Sequence, residues 1–195
     1  KNMSDQDEAK FRMIEYHKWK FKAKIFSPLA PLTVKRTPVL MTRVEYGFLG
    51  SYNKYKKSPF ETFYMGGDGM SGYSSTYATE TIGLRGYENG SIAGNGGYNS
   101  YGYAYSRLSM ELRYPFLLEP SSTIYGLVFV EAGNAWRDLK DFNPFQLKRS
   151  AGVGVRIFLP MIGLMGIDWA YGFDRPDGYD QRGGSNFHFI IGQEF

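Results

Sequence analysis

Arg85 is the residue of this sequence whose type and setting most favour a specific chemical role. It lies in the stretch IGLRGYENGSIAG, between Gly83 and Gly86, with Leu84 and Tyr87 as its apolar and aromatic neighbours. A guanidinium presents a planar fork of donors that matches carboxylates, which a lysine does not reproduce. The chemistry open to Arg85 is therefore ion pairing with carboxylates, and the alternative is an arginine in solvent.

Residues for catalysis or metal binding lack a usable arrangement. His17 and His188 are far apart and have no acidic neighbours at ligand spacing, and the chain contains no cysteine. A Ser-His-Asp set, a phosphate loop and a nucleotide-binding fingerprint are all missing from the sequence. We therefore expect a protein that is not an enzyme and that uses no metal ion.

The composition favours strands and turns. The 195 residues include 16 Tyr, 15 Phe and 24 Gly, and aromatic residues make up 17% of the chain. No run approaches the roughly 18 apolar residues of a membrane-spanning helix. The net charge of +4 is mild, and HKWKFKAK places lysines at every second residue, which is typical of a strand face and not of a nucleic-acid-binding tail.

Seven segments alternate apolar and polar residues with a period of two, which predicts two-faced strands. In one of them, Asp168 falls opposite Ile167 and Trp169, so we expect Asp168 to lie on the polar face and not to act as an acid catalyst. A tract of about fifty residues, 52–102, is far longer than an ordinary connection and is expected to be functional or disordered. The predicted strands are 11–26, 39–51, 103–114, 124–135, 148–159, 164–173 and 186–195.

The connections between these strands alternate in character. Three carry proline and are mostly shorter, whereas residues 52–102, 136–147 and 174–185 are polar and longer. Outer-membrane barrels are built in this way, with the apolar strand face toward lipid and the charged face toward the lumen. A soluble sandwich, which would turn the apolar face inward, is the alternative. The lysine stripe favours the barrel, as do aromatic residues near strand ends: Tyr114, Phe173, Phe187 and Phe195.

The number of predicted strands is odd, and this bears on whether the chain can form a closed barrel. Seven antiparallel strands would leave two unpaired edges in hydrocarbon, where unsatisfied backbone groups are costly. We therefore expect this chain to be the C-terminal part of a larger barrel.

Four stretches resemble one family. LRGY, at 84–87, resembles the Val-Arg-Gly-Phe/Tyr motif in the sixth extracellular loop of BamA-type insertases, and FVEAGNAW, at 129–136, resembles their Phe-x-Asp-x-Gly strand segment. FYMGGDG and the final FHFIIGQEF also resemble family segments, and the four occur in the family's order over nearly the whole chain. The departures are Leu84 for Val, Tyr87 for Phe and Glu131 for Asp.

The resemblance implies an all-β fold in which residues 1–195 form the last seven strands of a sixteen-stranded transmembrane antiparallel barrel. It also implies that the long extracellular loop, 52–102, folds back into the lumen, where its arginine pairs with wall carboxylates. Here Arg85 would meet Glu131 and Glu111, both of which the alternation independently places on the lumen face. In a wet lumen each charged hydrogen bond would contribute about 1.5 to 3 kcal/mol. The implied latch consists of Leu84, Arg85, Gly86, Tyr87, Glu111, Phe129, Glu131 and Gly133.

The terminal strand carries a second implied role. The resemblance implies a barrel that opens at the seam between its first and last strands, where an exposed edge would template a client strand by backbone pairing. Gly192 would weaken pairing there and permit a kink. An ordinary last strand with one glycine is the alternative. The implied seam and C-terminal signal residues are Phe187, Phe189, Ile191, Gly192 and Phe195.

The function implied by the resemblance is folding and insertion of client proteins into the bacterial outer membrane through a lateral seam. The implied partners are client outer-membrane proteins, accessory lipoproteins of an assembly complex and outer-membrane lipids, with no nucleic acid. No cofactor or nucleotide is expected, because client folding would supply the free energy. The alternatives are a polypeptide secretion pore of the two-partner type and a soluble all-β binding domain with a tyrosine-rich loop.

Overall fold

The computed structural model describes most of the chain and shows an almost entirely β architecture. The described residues are 14–31, 33–34, 36–52, 57–69, 79–92, 101–119, 121–161 and 163–192. Their strands, in chain order, are β1 (Tyr16–Pro28), β2 (Val39–Ser51), β3 (Phe63–Met65), β4 (Glu80–Ile82), β5 (Ala104–Glu119), β6 (Ser122–Trp136), β7 (Lys148–Leu159), β8 (Gly163–Gly172) and β9 (Gly184–Ile191). A 3₁₀ turn spans Leu139–Asp141. Within the described ranges, no helix is long and apolar enough to cross a membrane.

Seven long strands form one antiparallel sheet in the order β1-β2-β5-β6-β7-β8-β9. Each long strand pairs with the next along the chain, and the two short strands belong to the connection between β2 and β5. The predicted all-β, antiparallel fold class is therefore confirmed.

The two faces of the sheet differ sharply in exposure. On β6, Val128 and Val130 are 56% and 52% exposed, whereas Phe129 and Glu131 between them are buried. β9 repeats the pattern, with Phe189 63% exposed beside a buried neighbour on each side. The apolar side chains thus cover an exposed outer face, and the charged side chains lie on an inner face. A soluble sandwich would show the opposite arrangement.

Strand β5 is longer than its sequence predicts. The predicted strand ends at residue 114, just before Pro115, but β5 continues to Glu119, with a register shift against β6 between Pro115 and Leu117. β2 pairs with β5 only as far as Arg113, so the β2-facing edge of β5 is open beyond it. Proline is tolerated at such an edge or bulge, because no ladder hydrogen bond is lost there.

The described part of the long connection packs on the inner face of the sheet. β3 and β4 pair in parallel, a feature that the sequence did not predict. Their apolar side chains form a core with residues of β2, β5 and β6, so the connection is fixed to the wall by burial of apolar surface. This core consists of Leu49, Phe63, Met65, Ile82, Leu84, Tyr87, Ile92, Tyr105 and Ala135.

Candidate functional site

Arg85 is fully buried between the long connection and the wall. Its neighbour Leu84 donates its backbone N–H to the carbonyl of Gly67 at 3.1 Å, which fixes the start of the turn. Gly86 adopts a φ of +87°, and a Cβ atom there would lie 2.8 Å from the backbone nitrogen of Gly172 and 2.9 Å from Cβ of Ser150. Only glycine permits this conformation at so close an approach, so Gly86 lets the backbone press against β7 and β8.

Three carboxylates from three strands surround the Arg85 guanidinium. Its Nη2 lies 2.6 Å from Oε1 of Glu111 on β5 and 2.8 Å from Oε1 of Glu131 on β6. Its Nη1 lies 2.9 Å from Oδ2 of Asp168 on β8. The structure thus brings Arg85 together with both carboxylates that the resemblance implied, and it adds Asp168 as a third.

Further arginines share these carboxylates. Arg107 lies 2.8 Å from Oε1 of Glu131, and Arg113 lies 2.7 Å from Oε2 of Glu111. Arg156 makes a bidentate pair with Asp168, at 2.5 and 2.7 Å. Among the described residues, four guanidinium groups, including that of Arg85, therefore face these three carboxylates. Each carboxylate is shared between a wall arginine and the loop.

The centre of the cluster is buried, in contrast to the wet lumen expected from the sequence. The side chains of Arg85, Glu131 and Asp168 have no exposed surface. Burial alone would lower the pKa of Arg85, but the charges of Glu131 and Glu111 raise that pKa above its ordinary value, so the guanidinium stays ionised. Because a buried charge without partners is strongly destabilising, every member of the cluster depends on the others.

Phe129 forms the floor of the arginine site. Its ring centroid lies 3.5 Å from the Arg85 Cζ, which is a cation–π contact. Glu111 pairs with Phe129 in the β5–β6 register, so the aromatic ring and the carboxylate lie side by side on the inner face. A flat guanidinium satisfies both contacts, because it can stack on the ring while its edge donates to carboxylates.

Tyr87 and Gly133 fix the flanks of the turn. The Tyr87 hydroxyl donates to the carbonyl of Arg149 at 2.7 Å, and burial raises the pKa of Tyr87 to about 12. On β6, a Cβ atom at Gly133 would lie 2.4 Å from Cε of Met65 and 3.2 Å from Cδ1 of Leu84. Gly133 therefore leaves the space into which the connection packs.

His188 links the turn to β9. The backbone N–H of Gly86 donates to Nε2 of His188 at 3.0 Å, so this nitrogen accepts and carries no proton in the observed arrangement. His188 pairs with Asp168 in the β8–β9 register. The turn therefore contacts side chains on β5, β6, β8 and β9.

Comparison with known proteins fits this arrangement of strands and loop. The Omp85 superfamily domain matches residues 10–195, which is nearly the whole chain. The chain belongs to the Omp85 superfamily.

A solved structure shows the same fold. The Omp85 chain resembles the crystal structure of BamA from Haemophilus ducreyi lacking POTRA domains 1–3, with a TM-score of 0.60 and 22% sequence identity. The match covers 90% of this chain but 35% of the other, so this chain spans about a third of the length of that solved chain. No match to a curated protein sequence was found. As a C-terminal barrel segment of this superfamily, the chain belongs to the bacterial outer membrane, with its exposed apolar face toward lipid.

The residues assigned to a seam lie on β9 of the Omp85 chain. Phe187, Phe189 and Ile191 project from its exposed outer face. Gly192 follows the strand directly, has a φ of +77° and donates its N–H to the carbonyl of Leu164 at 2.7 Å. Phe195 lies outside the described residues. The seam role itself stays a prediction.

Asp168, His188 and Arg156 are site residues whose contacts the sequence did not reveal. The period of two that places Asp168 on a polar face also places Arg156 and His188 on the polar faces of their strands, and this is the available signal. Their convergence on Arg85 and Gly86 depends on strand register, which the alternation does not give. Among the described residues of the Omp85 chain, no group of three or more His, Asp or Glu side chains could hold a metal ion.

Proposed function

We propose that this chain is the C-terminal barrel half of an outer-membrane insertase that folds client β-barrel proteins through a lateral seam. The observation that carries the proposal is the hydrogen bond between the backbone of Gly86 and His188. It joins the arginine turn to the strand whose edge a client would pair with. The buried Arg85 cluster anchors the same turn to the wall at three carboxylates.

The wall strands and the terminal strand hold the turn by different kinds of contact. β5, β6 and β8 hold the turn through buried ion pairs, which resist displacement because breaking one leaves an unpaired buried charge. β9 is held to the turn by one neutral hydrogen bond and to β8 by its ladder. Partner exchange at the other edge of β9 would leave the β8 ladder intact and break at most the bond to the turn, so it would cost less than release of the loop.

A client strand would be recognised through its backbone. An unpaired β-strand edge presents alternating N–H and C=O groups, and an incoming strand satisfies them by β-augmentation whatever its sequence. In hydrocarbon such pairing is strongly favoured, because unsatisfied backbone groups are costly there. The proposal therefore needs no covalent chemistry, cofactor or nucleotide. The partners it requires are client outer-membrane proteins, surrounding lipids and the accessory lipoproteins of an assembly complex.

Depletion of the full-length protein in cells tests the proposal. The abundance of many outer-membrane proteins should fall together, as measured by quantitative proteomics of the outer-membrane fraction. Loss of a single secreted polypeptide, with the other outer-membrane proteins unchanged, would contradict insertion and support a two-partner-type secretion pore instead.

A further inference from the structure

A second charged cluster lies on the same loop, away from Arg85. The carboxylate of Glu80, at the start of β4, accepts hydrogen bonds from Nζ of Lys20 at 2.7 and 2.9 Å. Nζ of Lys18 lies 3.1 Å from the same carboxylate, and Nζ of Lys22 lies 3.8 Å from it. Three of the four alternating lysines of β1 thus converge on one loop residue.

Neighbouring contacts reinforce this cluster. Lys18 also lies 3.3 Å from Oε2 of Glu61, and its Nζ lies 5.0 Å from the ring centroid of Phe63 at the start of β3. The side chains of Lys18 and Glu80 are only 15% and 21% exposed. The contacts therefore join β1 to both short strands of the loop, and they are partly shielded from solvent.

The cluster and the Arg85 site hold different parts of the wall. In the sheet order, β1 and β6 are separated by three strand spacings, or about 14 Å. Residues 80 and 85 are five positions apart, and an extended segment of that length spans about 16 Å. One short piece of the loop can therefore lie across the inner face, fixed at one end to β1 and at the other to β5, β6 and β8.

We infer that Glu80 is a second anchor of the loop, held by the lysine stripe of β1, and that it positions β4 independently of Arg85. This goes beyond the proposed function, because it concerns what fixes the loop whether or not the protein inserts clients. It also assigns a role to the lysine stripe of β1, which takes no part in the proposed insertion of client proteins. Ion pairs of this partly exposed kind are screened by salt, whereas the buried Arg85 cluster is screened much less.

Hydrogen–deuterium exchange of the full-length protein in lipid nanodiscs tests the inference. Glu80→Gln should speed exchange of the amides in residues 80–82 roughly five-fold, since it removes the charge that the lysines bind. Exchange in residues 84–87 should stay unchanged. Glu88→Gln is the matched control, because Glu88 is an exposed carboxylate on the same loop. High salt should speed the wild-type exchange and leave the Glu80→Gln protein unaffected.

A charge reversal provides a second, independent arm. Glu80→Lys alone should speed exchange more than Glu80→Gln, because it faces three lysines, and adding Lys20→Glu should partly restore protection. Equal exchange rates in wild type, Glu80→Gln and Glu88→Gln would overturn the inference. So would a double variant, Glu80→Lys with Lys20→Glu, that exchanges as fast as Glu80→Lys alone. The abundance of outer-membrane proteins, measured in the same strains, reports separately on the proposed function.

Discussion

Glu131 holds Arg85 at two points. Its Oε1 accepts a hydrogen bond from the guanidinium Nη2 at 2.8 Å, and its Oε2 accepts one from the Arg85 backbone N–H at 2.9 Å. One carboxylate thus fixes both the side chain and the main chain of the loop. The family motif has Asp at this position, and the extra methylene of Glu131 is compatible with a bond to each of its oxygens. The loop is therefore held through its backbone as well as through the charged side chain of Arg85.

Arg85→Lys should release the turn, although it keeps the positive charge. An ammonium group cannot donate in a plane to three carboxylates while stacking on Phe129, so at least one buried carboxylate loses a partner. We expect the docked loop to lose about 3 to 5 kcal/mol, the usual cost of breaking a buried pair. The loss is measured as faster amide hydrogen exchange in residues 84–87 of the full-length protein.

The control for Arg85→Lys must lie outside the cluster. Arg107 is unsuitable, because it contacts Glu131 itself. Arg137 is exposed, just beyond the end of β6, and Arg137→Lys should leave exchange in residues 84–87 unchanged. If both variants exchange alike, the guanidinium geometry has no special role.

Exchanging the charges of Arg85 and Glu131 should fail to restore the turn. A simple pair would tolerate Arg85→Glu combined with Glu131→Arg. In this structure the new loop carboxylate would face Glu111 and Asp168, and the new wall cation would face Arg107. We expect the double variant to be at least as impaired as the single ones in heat-modifiable electrophoretic mobility. Recovery of wild-type mobility would show that the pair acts alone.

His188→Leu should weaken the link between the turn and β9, and His188→Gln should spare it. Leucine offers no acceptor, so the buried N–H of Gly86 would be unsatisfied, at a cost of about 1 to 3 kcal/mol. Glutamine can accept through its side-chain oxygen. The comparison is made by amide exchange at Gly86 together with thermal unfolding in detergent. Identical stability of the two variants would remove the acceptor role of His188.

Acid should loosen the loop at Glu80. Burial would raise the pKa of this carboxyl, but the bonds from Lys20 and Lys18 lower it below its ordinary value of 4.5. A carboxyl with a lowered folded-state pKa stabilises the fold above its unfolded pKa, and this contribution is lost as pH falls through the folded value. The amide exchange rates of residues 80–82 in wild type and in Glu80→Gln, compared at each pH, should converge as the pH drops below 4.5. A constant difference down to pH 3 would contradict this.

The wall could be predicted from the sequence because its signal is local. A period of two assigns each residue of a long strand to a face, so that Val130 and Glu131 fall on opposite faces without knowledge of any partner strand. The same rule assigned Asp168 and His188 to the polar face. Their pairing across β8 and β9 depends on register, which local alternation does not encode.

The loop could not be predicted because its elements are short and its contacts distant. β3 and β4 have three residues each, too few for a periodic signal, and they are stabilised by packing on β2, β5 and β6. Glu80 meets Lys20 across sixty positions of sequence. At Pro115 the local preference for a turn does not prevail. The β2–β5 pairing ends at Arg113, so the proline removes no hydrogen bond between these two strands.

Arg85 latches the loop to the inner face of a wall whose outer face meets lipid. A cryo-EM map of the full-length protein in lipid nanodiscs is the sharpest test of this arrangement. We expect density for the guanidinium between Glu111, Glu131 and Asp168, with Val128 and Val130 facing the lipid annulus. Density that places Arg85 in solvent, or that packs Val128 and Val130 against a second protein layer, would contradict it.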